Sequence, residues 1–155
     1  MLDTEAFGEF RQALNFLRDD SAENALPHIR RAVELEGQNP FYSSYLGLAM
    51  ARAENKWSEA EKLCETALRT KRDQPQLYLN LAEVYAGSGR REDAVETLLR
   101  AVRYAQRDLR VNRMLSQLST RRRPVIPFLR RNNIINRQLG LWRHRALRLI
   151  GSEAV

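Results

Sequence analysis

Apolar residues recur along this chain with a helical beat, and the beat itself repeats. Phe7, Phe10, Leu14 and Leu17 fall three and four apart, which predicts a helix over about residues 4–18 with one apolar face. Further on, NALPHIRRAVEL, EAEKLCETALRT and DAVETLLRAVRY share one pattern. Each has Ala (Ala25, Ala60, Ala94), a large apolar or Cys residue four later (Ile29, Cys64, Leu98), and a second Ala three beyond (Ala32, Ala67, Ala101). The first alanines are 35 and then 34 positions apart. Between them, YLGLAM and NLAEVY set Leu46 and Gly47 against Leu81 and Ala82, and Met50 against Tyr85. Two helical stretches per 34–35 residues predict helical hairpins stacked as a solenoid. Such a unit carries no chemistry of its own; it makes a surface.

Punctuation residues sharpen the boundaries. Pro40 and Pro75 each open a helix at its first turn, where a missing N–H costs little. Helices are predicted over about residues 40–54, 57–71, 75–86 and 91–107, with a turn at Gly87-Ser88-Gly89. Asp19, Asp20 and Ser21 offer capping oxygens to the second helix, and Asn55 to the fourth. Pro27 removes a hydrogen bond to Glu23, so the second helix is expected to start near Asn24 or to kink there. Gly47 and Ala82 let helices cross closely, as do the first alanines of the return helices. Larger side chains there would cost about 1–3 kcal/mol each. Val111, Met114, Leu115 and Leu118 predict a further helix over about residues 109–120, placed to cover the end of the stack.

These residues resemble the tetratricopeptide-repeat family. Tyr78, Leu81, Ala82, Tyr85, Ala94, Leu98 and Ala101 match one unit. Leu46, Gly47, Met50, Ala60, Cys64 and Ala67 match a second, and Ala25, Ile29 and Ala32 the latter half of a third. The resemblance covers about residues 4–108 and implies an all-α, right-handed α-solenoid. It also implies that the first helix of each pair lines a concave groove where a partner binds. By that alignment the groove residues are Phe41, Ser44, Leu48, Ala51 and Arg52, then Gln76, Leu79, Asn80, Glu83 and Ala86. Members that bind chaperones hold a C-terminal carboxylate with Lys and Asn. Here Asn80 matches, but Ser44 and Leu79 replace the lysines, so an apolar or extended segment, or a helix, is the expected guest.

Composition narrows the class further. With 155 residues and 43% hydrophobic content, one domain with a real core is expected. No run of apolar residues is long enough to span a membrane. The acidic MLDTEAFGEF start does not read as a secretory signal. Cys64 is the single cysteine, on the predicted core face, and a reducing cytoplasm is the expected setting. No HExxH, CxxC or EF-hand pattern occurs, and His28 and His144 lie far apart. Glu59 and Glu61, two apart, do not share a helix face. GSGR at Gly87–Arg90 is a turn, because no strand precedes it. No catalytic residue, metal or cofactor is therefore expected, and the chain is read as a non-catalytic interaction scaffold or adaptor.

Charge separates the two ends. Residues 1–108 carry a net −3 and residues 109–155 a net +10, all of the latter's positive charge from arginine. Residues 1–120 are read as the repeat domain with its capping helix, and 121–155 as an Arg-rich extension. Pro124 and Pro127 forbid a regular helix early in that extension. Its end, IINRQLGLWRHRALRLI, reads as a basic amphipathic helix with Ile135, Leu139, Trp142, Ala146 and Leu149 on one side. The arginines are Arg121, Arg122, Arg123, Arg130, Arg131, Arg137, Arg143, Arg145 and Arg148. Four roles stay open for this segment. It docks on its own repeats, with Arg121–Arg123 complementing a helix dipole. It pairs with a second copy through Phe128, Leu139 and Trp142, as a homo-oligomer. It lies on an anionic membrane surface. Or it binds nucleic acid, though no RNA-binding motif is present. A protein or peptide partner in the groove is the leading expectation; nucleic acid or a membrane surface is the alternative.

Overall fold

The computed structural model describes residues 4–105 and 107–119, all within a compact unit, Met1–Ser119. The expectations for residues 121–155 lie outside the described residues: the Pro-containing connection, the final helix, the arginines from Arg121 to Arg148, and Phe128, Leu139 and Trp142. The described residues form helices and no strands: α1 Glu5–Arg18, α2 Ala22–Leu35, α3 Pro40–Glu54, α4 Trp57–Thr70, α5 Pro75–Gly87, α6 Arg91–Val102 and α7 Leu109–Ser119. Odd-numbered helices begin at 5, 40, 75 and 109, and even-numbered ones at 22, 57 and 91. The repeat read from the alanines is thus the repeat of the backbone, and α7 starts where the first helix of a fourth unit belongs.

The repeating alanines drive the packing. Ala25, Ala60 and Ala94, Ile29, Cys64 and Leu98, and Ala32, Ala67 and Ala101 are all at most 2% exposed. Each hairpin closes because a small residue meets its partner helix. A Cβ added at Gly47 would lie 2.7 Å from the Ala60 carbonyl oxygen and 3.0 Å from Cys64 Sγ. At the far end of α5, Gly87 lies under the Trp57 ring, where a Cβ would come within 2.7 Å. Val111 of α7 is fully buried, and Met114, Leu115 and Leu118 pack on the same core, so α7 covers the end of the stack. Arg91 donates to the Leu118 and Gln117 carbonyls, 2.8 and 3.2 Å away, and so satisfies the C-terminal end of α7.

Several local expectations are corrected. Asn55 does not cap α4. It ends α3 in the left-handed region (φ 55, ψ 25), which Asn tolerates, and Lys56 stands at the cap of α4 without a side-chain bond. Ser21 stands at the cap of α2, but its hydroxyl turns back to the Asp19 carbonyl at 3.4 Å. Asp20 takes the tight turn at φ 56. Helix α2 starts at Ala22, not Asn24, and runs through Pro27, which sits on its exposed side. Helix α6 stops at Val102, five residues early. There Tyr104 and Ala105 both donate to the Ala101 carbonyl at 3.0 Å, and Asp108 caps α7 by accepting from Arg110 N at 2.9 Å. At the Pro-opened start of α3, Asn39 Oδ1 accepts from Phe41 N at 3.1 Å, whereas Gln74 stands at the cap of α5 without a side-chain bond.

The helices fall into two rows. Each packs on its sequence neighbour, and in addition α3 packs on α5 and α5 on α7. No comparable packing joins the even-numbered helices. Helices α3, α5 and α7 therefore form a close inner row, which α1 joins through Phe10 on Tyr42 and Tyr45, and the even helices form a splayed outer row.

Candidate functional site: the inner cleft

The inner row carries a cleft of about 310 Å³ between α1, α3 and α5. Its apolar wall is Leu14, Leu17, Tyr45 and Leu48, and its polar wall is Arg18, Arg52, Gln76, Asn80 and Glu83. Of the residues placed in the groove from the sequence, the structure brings together Leu48, Arg52, Gln76, Asn80 and Glu83. It puts the other five elsewhere: Ala51 is buried in the main core, and Ala86 packs against that core, partly buried. Ser44 is fully buried beneath the cleft, and Leu79 belongs to the main core. Phe41 lines a separate depression at the α2–α3 turn, with Lys71 5.6 Å from its ring centre. Leu14, Leu17, Arg18 and Tyr45 are the lining residues that sequence reasoning missed. Three of them belong to α1, whose match to the repeat is loose. The period-three-and-four spacing of Leu14 and Leu17 was their one visible signal.

Electrostatics hold the polar wall in place. Arg52 donates from Nε to Glu83 Oε1 at 2.6 Å and from Nη2 to the same oxygen. Its Nη1 reaches the Leu17 carbonyl at 3.3 Å, a group left open where α1 ends. Arg52 thereby ties α1, α3 and α5 together. Arg18, exposed at the rim, has no hydrogen-bond or ion-pair partner among the described residues. Arg110 of α7 reaches back into the row and donates to Gln76 Oε1 at 2.8 Å, while pairing with Asp108. That pair holds the Asp108 carboxyl below its ordinary range, chiefly through the Arg110 side-chain hydrogen bond. Burial is the main cause that pushes the Tyr45 phenol upward, so it stays neutral and presents an apolar ring to the cleft.

Behind the wall runs a buried polar line. Gln76 Nε2 donates to Asn80 Oδ1 at 2.8 Å, and Asn80 Nδ2 to Ser44 Oγ at 3.0 Å. Cys64 Sγ donates to the Ser44 carbonyl at 3.3 Å. Asn80 and Ser44 are almost completely sealed from solvent, so these bonds replace the water they lose. His28 is engaged likewise: Nδ1 lies 2.6 Å from Glu9 Oε2, and its ring stacks on Phe16 at 5.5 Å, linking α1 and α2. His144 lies outside the described residues. Among the described residues no group of three or more His, Cys, Asp or Glu is placed to hold a metal ion.

Hairpins stacked in two rows, with an open cleft on the inner one, define a helical-repeat solenoid. Residues 51–118 match the family model described as tetratricopeptide repeat. Over those residues the chain is similar to the tetratricopeptide-repeat family. The first such domain of Spaghetti (RPAP3), solved bound to the HSP90 peptide SRMEEVD, is similar at 16% identity and TM-score 0.62. That match covers 74% of this chain and 93% of that one. The second domain of human RPAP3, in complex with the HSP70 peptide SGPTIEEVD, matches at 17% identity and TM-score 0.60, over 76% of this chain and 97% of that one. The Arabidopsis OM64 domain matches at 15% identity and TM-score 0.60, over 73% and 93%. Identities this low establish the shared fold. The search of curated proteins gave no match.

Proposed function

We propose that this protein is a non-catalytic interaction scaffold whose inner cleft holds a segment of a partner protein. The observation that carries the reading is the cleft itself: Leu14, Tyr45 and Leu48 face a wall of Arg18, Arg52, Asn80 and Glu83 across the odd-numbered row. An apolar wall supplies affinity and a polar wall fixes orientation, which suits an extended peptide or one face of a helix. The RPAP3 domains hold chaperone tails ending in EEVD. The present cleft favours a different guest. Asn80 is committed to Ser44 and Gln76, and Arg52 to Glu83, so neither is free to grip a terminal carboxylate. An apolar anchor beside Leu14 and Tyr45, flanked by one acidic group for Arg18, fits better.

The arginines of residues 121–155 add a second, electrostatic element to this proposal: they attract an acidic partner or a second copy of the chain. The carrying fact is the net +10 of residues 109–155 against −3 before them. Charges of this kind mostly speed and orient encounter.

The test is selection of binding peptides from a random display library, followed by titration calorimetry. Leu14→Glu and Tyr45→Ala should each weaken the selected peptides about tenfold or more while the helical circular-dichroism signal holds. Leu48 and Leu79 are poor choices, because both are buried and their substitution would unfold the repeats. Peptides that bind Leu14→Glu as tightly as the parent protein would refute the reading. Loss of peptide binding on deleting residues 121–155 alone would move the site to the extension.

A further inference from the structure

The outer row has an opening of its own. Because α4 and α6 do not pack on each other, a cleft of about 400 Å³ lies between them over the back of α5. Arginines dominate it: Arg69, Arg72, Arg100 and Arg103 line it, against the single carboxylate of Glu65. Arg69 is paired with Glu65 at 3.4 Å. Arg72, Arg100 and Arg103 are exposed and have no carboxylate partner among the described residues. Like charges gathered without counter-charge repel, and a bound anion relieves that cost.

The cleft also has a rigid aromatic wall. Tyr78 donates from its hydroxyl to the Arg72 carbonyl at 2.9 Å, which pins the turn after α4 against α5. Tyr104 stacks on Tyr78 with ring centres 6.1 Å apart and planes 26° apart. It remains 56% exposed, so part of its ring is unoccupied. Here the guanidinium groups meet an aromatic surface that costs little entropy to use.

We propose that this outer cleft docks a short acidic segment of a protein partner. Its carboxylates lie against Arg72, Arg100 and Arg103, and one aromatic or apolar side chain lies against Tyr104. Charge complementarity sets the sign of the ligand, and the neighbourhood sets its length. Glu61 and Glu65 on α4 and Glu92, Asp93 and Glu96 on α6 follow within a turn or two of the arginines. A polyanion that tracked onward, such as a nucleic acid strand, would run into these carboxylates; a segment of a few residues ends before them. The site is separate from the inner cleft.

A fluorescein-labelled peptide of glutamates around one central benzoylphenylalanine, added to the full chain, tests this. The triple variant Arg72→Gln, Arg100→Gln, Arg103→Gln should weaken binding about tenfold or more in fluorescence anisotropy, with helical content unchanged. Tyr104→Ala should also weaken it, and Leu14→Glu, in the inner cleft, should not. Photo-cross-links should map to residues 69–72 and 100–104. Unchanged binding by the triple variant, or cross-links confined to residues 121–155, would overturn the proposal. So would tighter binding of a ten-nucleotide RNA that the same triple variant loses.

Discussion

Asn80 and Ser44, on different repeats and both sealed from water, are joined by a 3.0 Å hydrogen bond. The bond crosses from α5 to α3 directly behind the inner cleft. Gln76 holds the other side of the Asn80 amide, and Arg110 holds Gln76 in turn. The wall of the cleft is therefore positioned by three successive helices of the inner row.

Breaking that line should cost more than an ordinary surface change. Asn80→Ala leaves the Ser44 hydroxyl and the Gln76 amide without their partner, and should lower stability by about 1–3 kcal/mol. Urea denaturation followed by circular dichroism measures it. A loss within about 0.5 kcal/mol, the range of a neutral surface substitution, would show that water replaces the amide.

Gly47 should not tolerate a side chain. Its Cβ would meet the Ala60 backbone oxygen, which cannot swing aside. Gly47→Ala should therefore destabilise by about 1–3 kcal/mol, although Ala is the better helix former. The same chemical-denaturation experiment reads the sign directly: a gain would mean that α3 and α4 separate without cost.

Cys64 should be inert while the fold is intact. Burial pushes its thiol up to about 12, and the Ser44 hydrogen bond offsets only part of that. At pH 8 a disulfide reagent should label the unfolded chain quickly and the native chain only as it opens. The folded value is raised above the unfolded one, so this group's stabilisation is complete below about pH 8.5. It declines as pH rises from there toward 12. Fast labelling of native protein at pH 8 would contradict the burial.

Asp108 should matter in a pH-dependent way. It caps α7, and its depressed carboxyl pairs with Arg110. Asp108→Ala should cost about 0.5–2 kcal/mol at neutral pH. Because the folded value lies below the unfolded one, the ionic part is present above about pH 4 and is lost as the pH falls through the folded value. Stability curves of the two proteins should converge in acid. A gap that stays constant down to pH 2 would assign the whole effect to the cap geometry.

Much of the fold was legible because its packing rule is local. Ala25, Ala60 and Ala94 mark where return helices press on their partners, and a small residue at a fixed period leaves few other readings. The cleft was only half legible. Arg52, Gln76, Asn80 and Glu83 line the cleft, whereas Ser44 and Leu79 turn inward. A register assigns a residue to a helix face, but a face of this kind spans both the cleft wall and the packing seam. Asn55 shows the same limit at a single residue: its side chain suits a cap and its backbone suits a left-handed turn, and the second use won.

The sequence by itself determined the helices, their period and the small residues that let them stack, because these depend on neighbours three, four and about 34 positions away. Tertiary structure alone decided which polar groups are spent on one another. Arg52 with Glu83 and Asn80 with Ser44 satisfy each other across 31 and 36 positions, while Arg72, Arg100 and Arg103 are left with open guanidinium groups on the outer row. Hydrogen bonds and ion pairs need contact within a few ångströms, and no spacing along a chain states which distant side chains will meet.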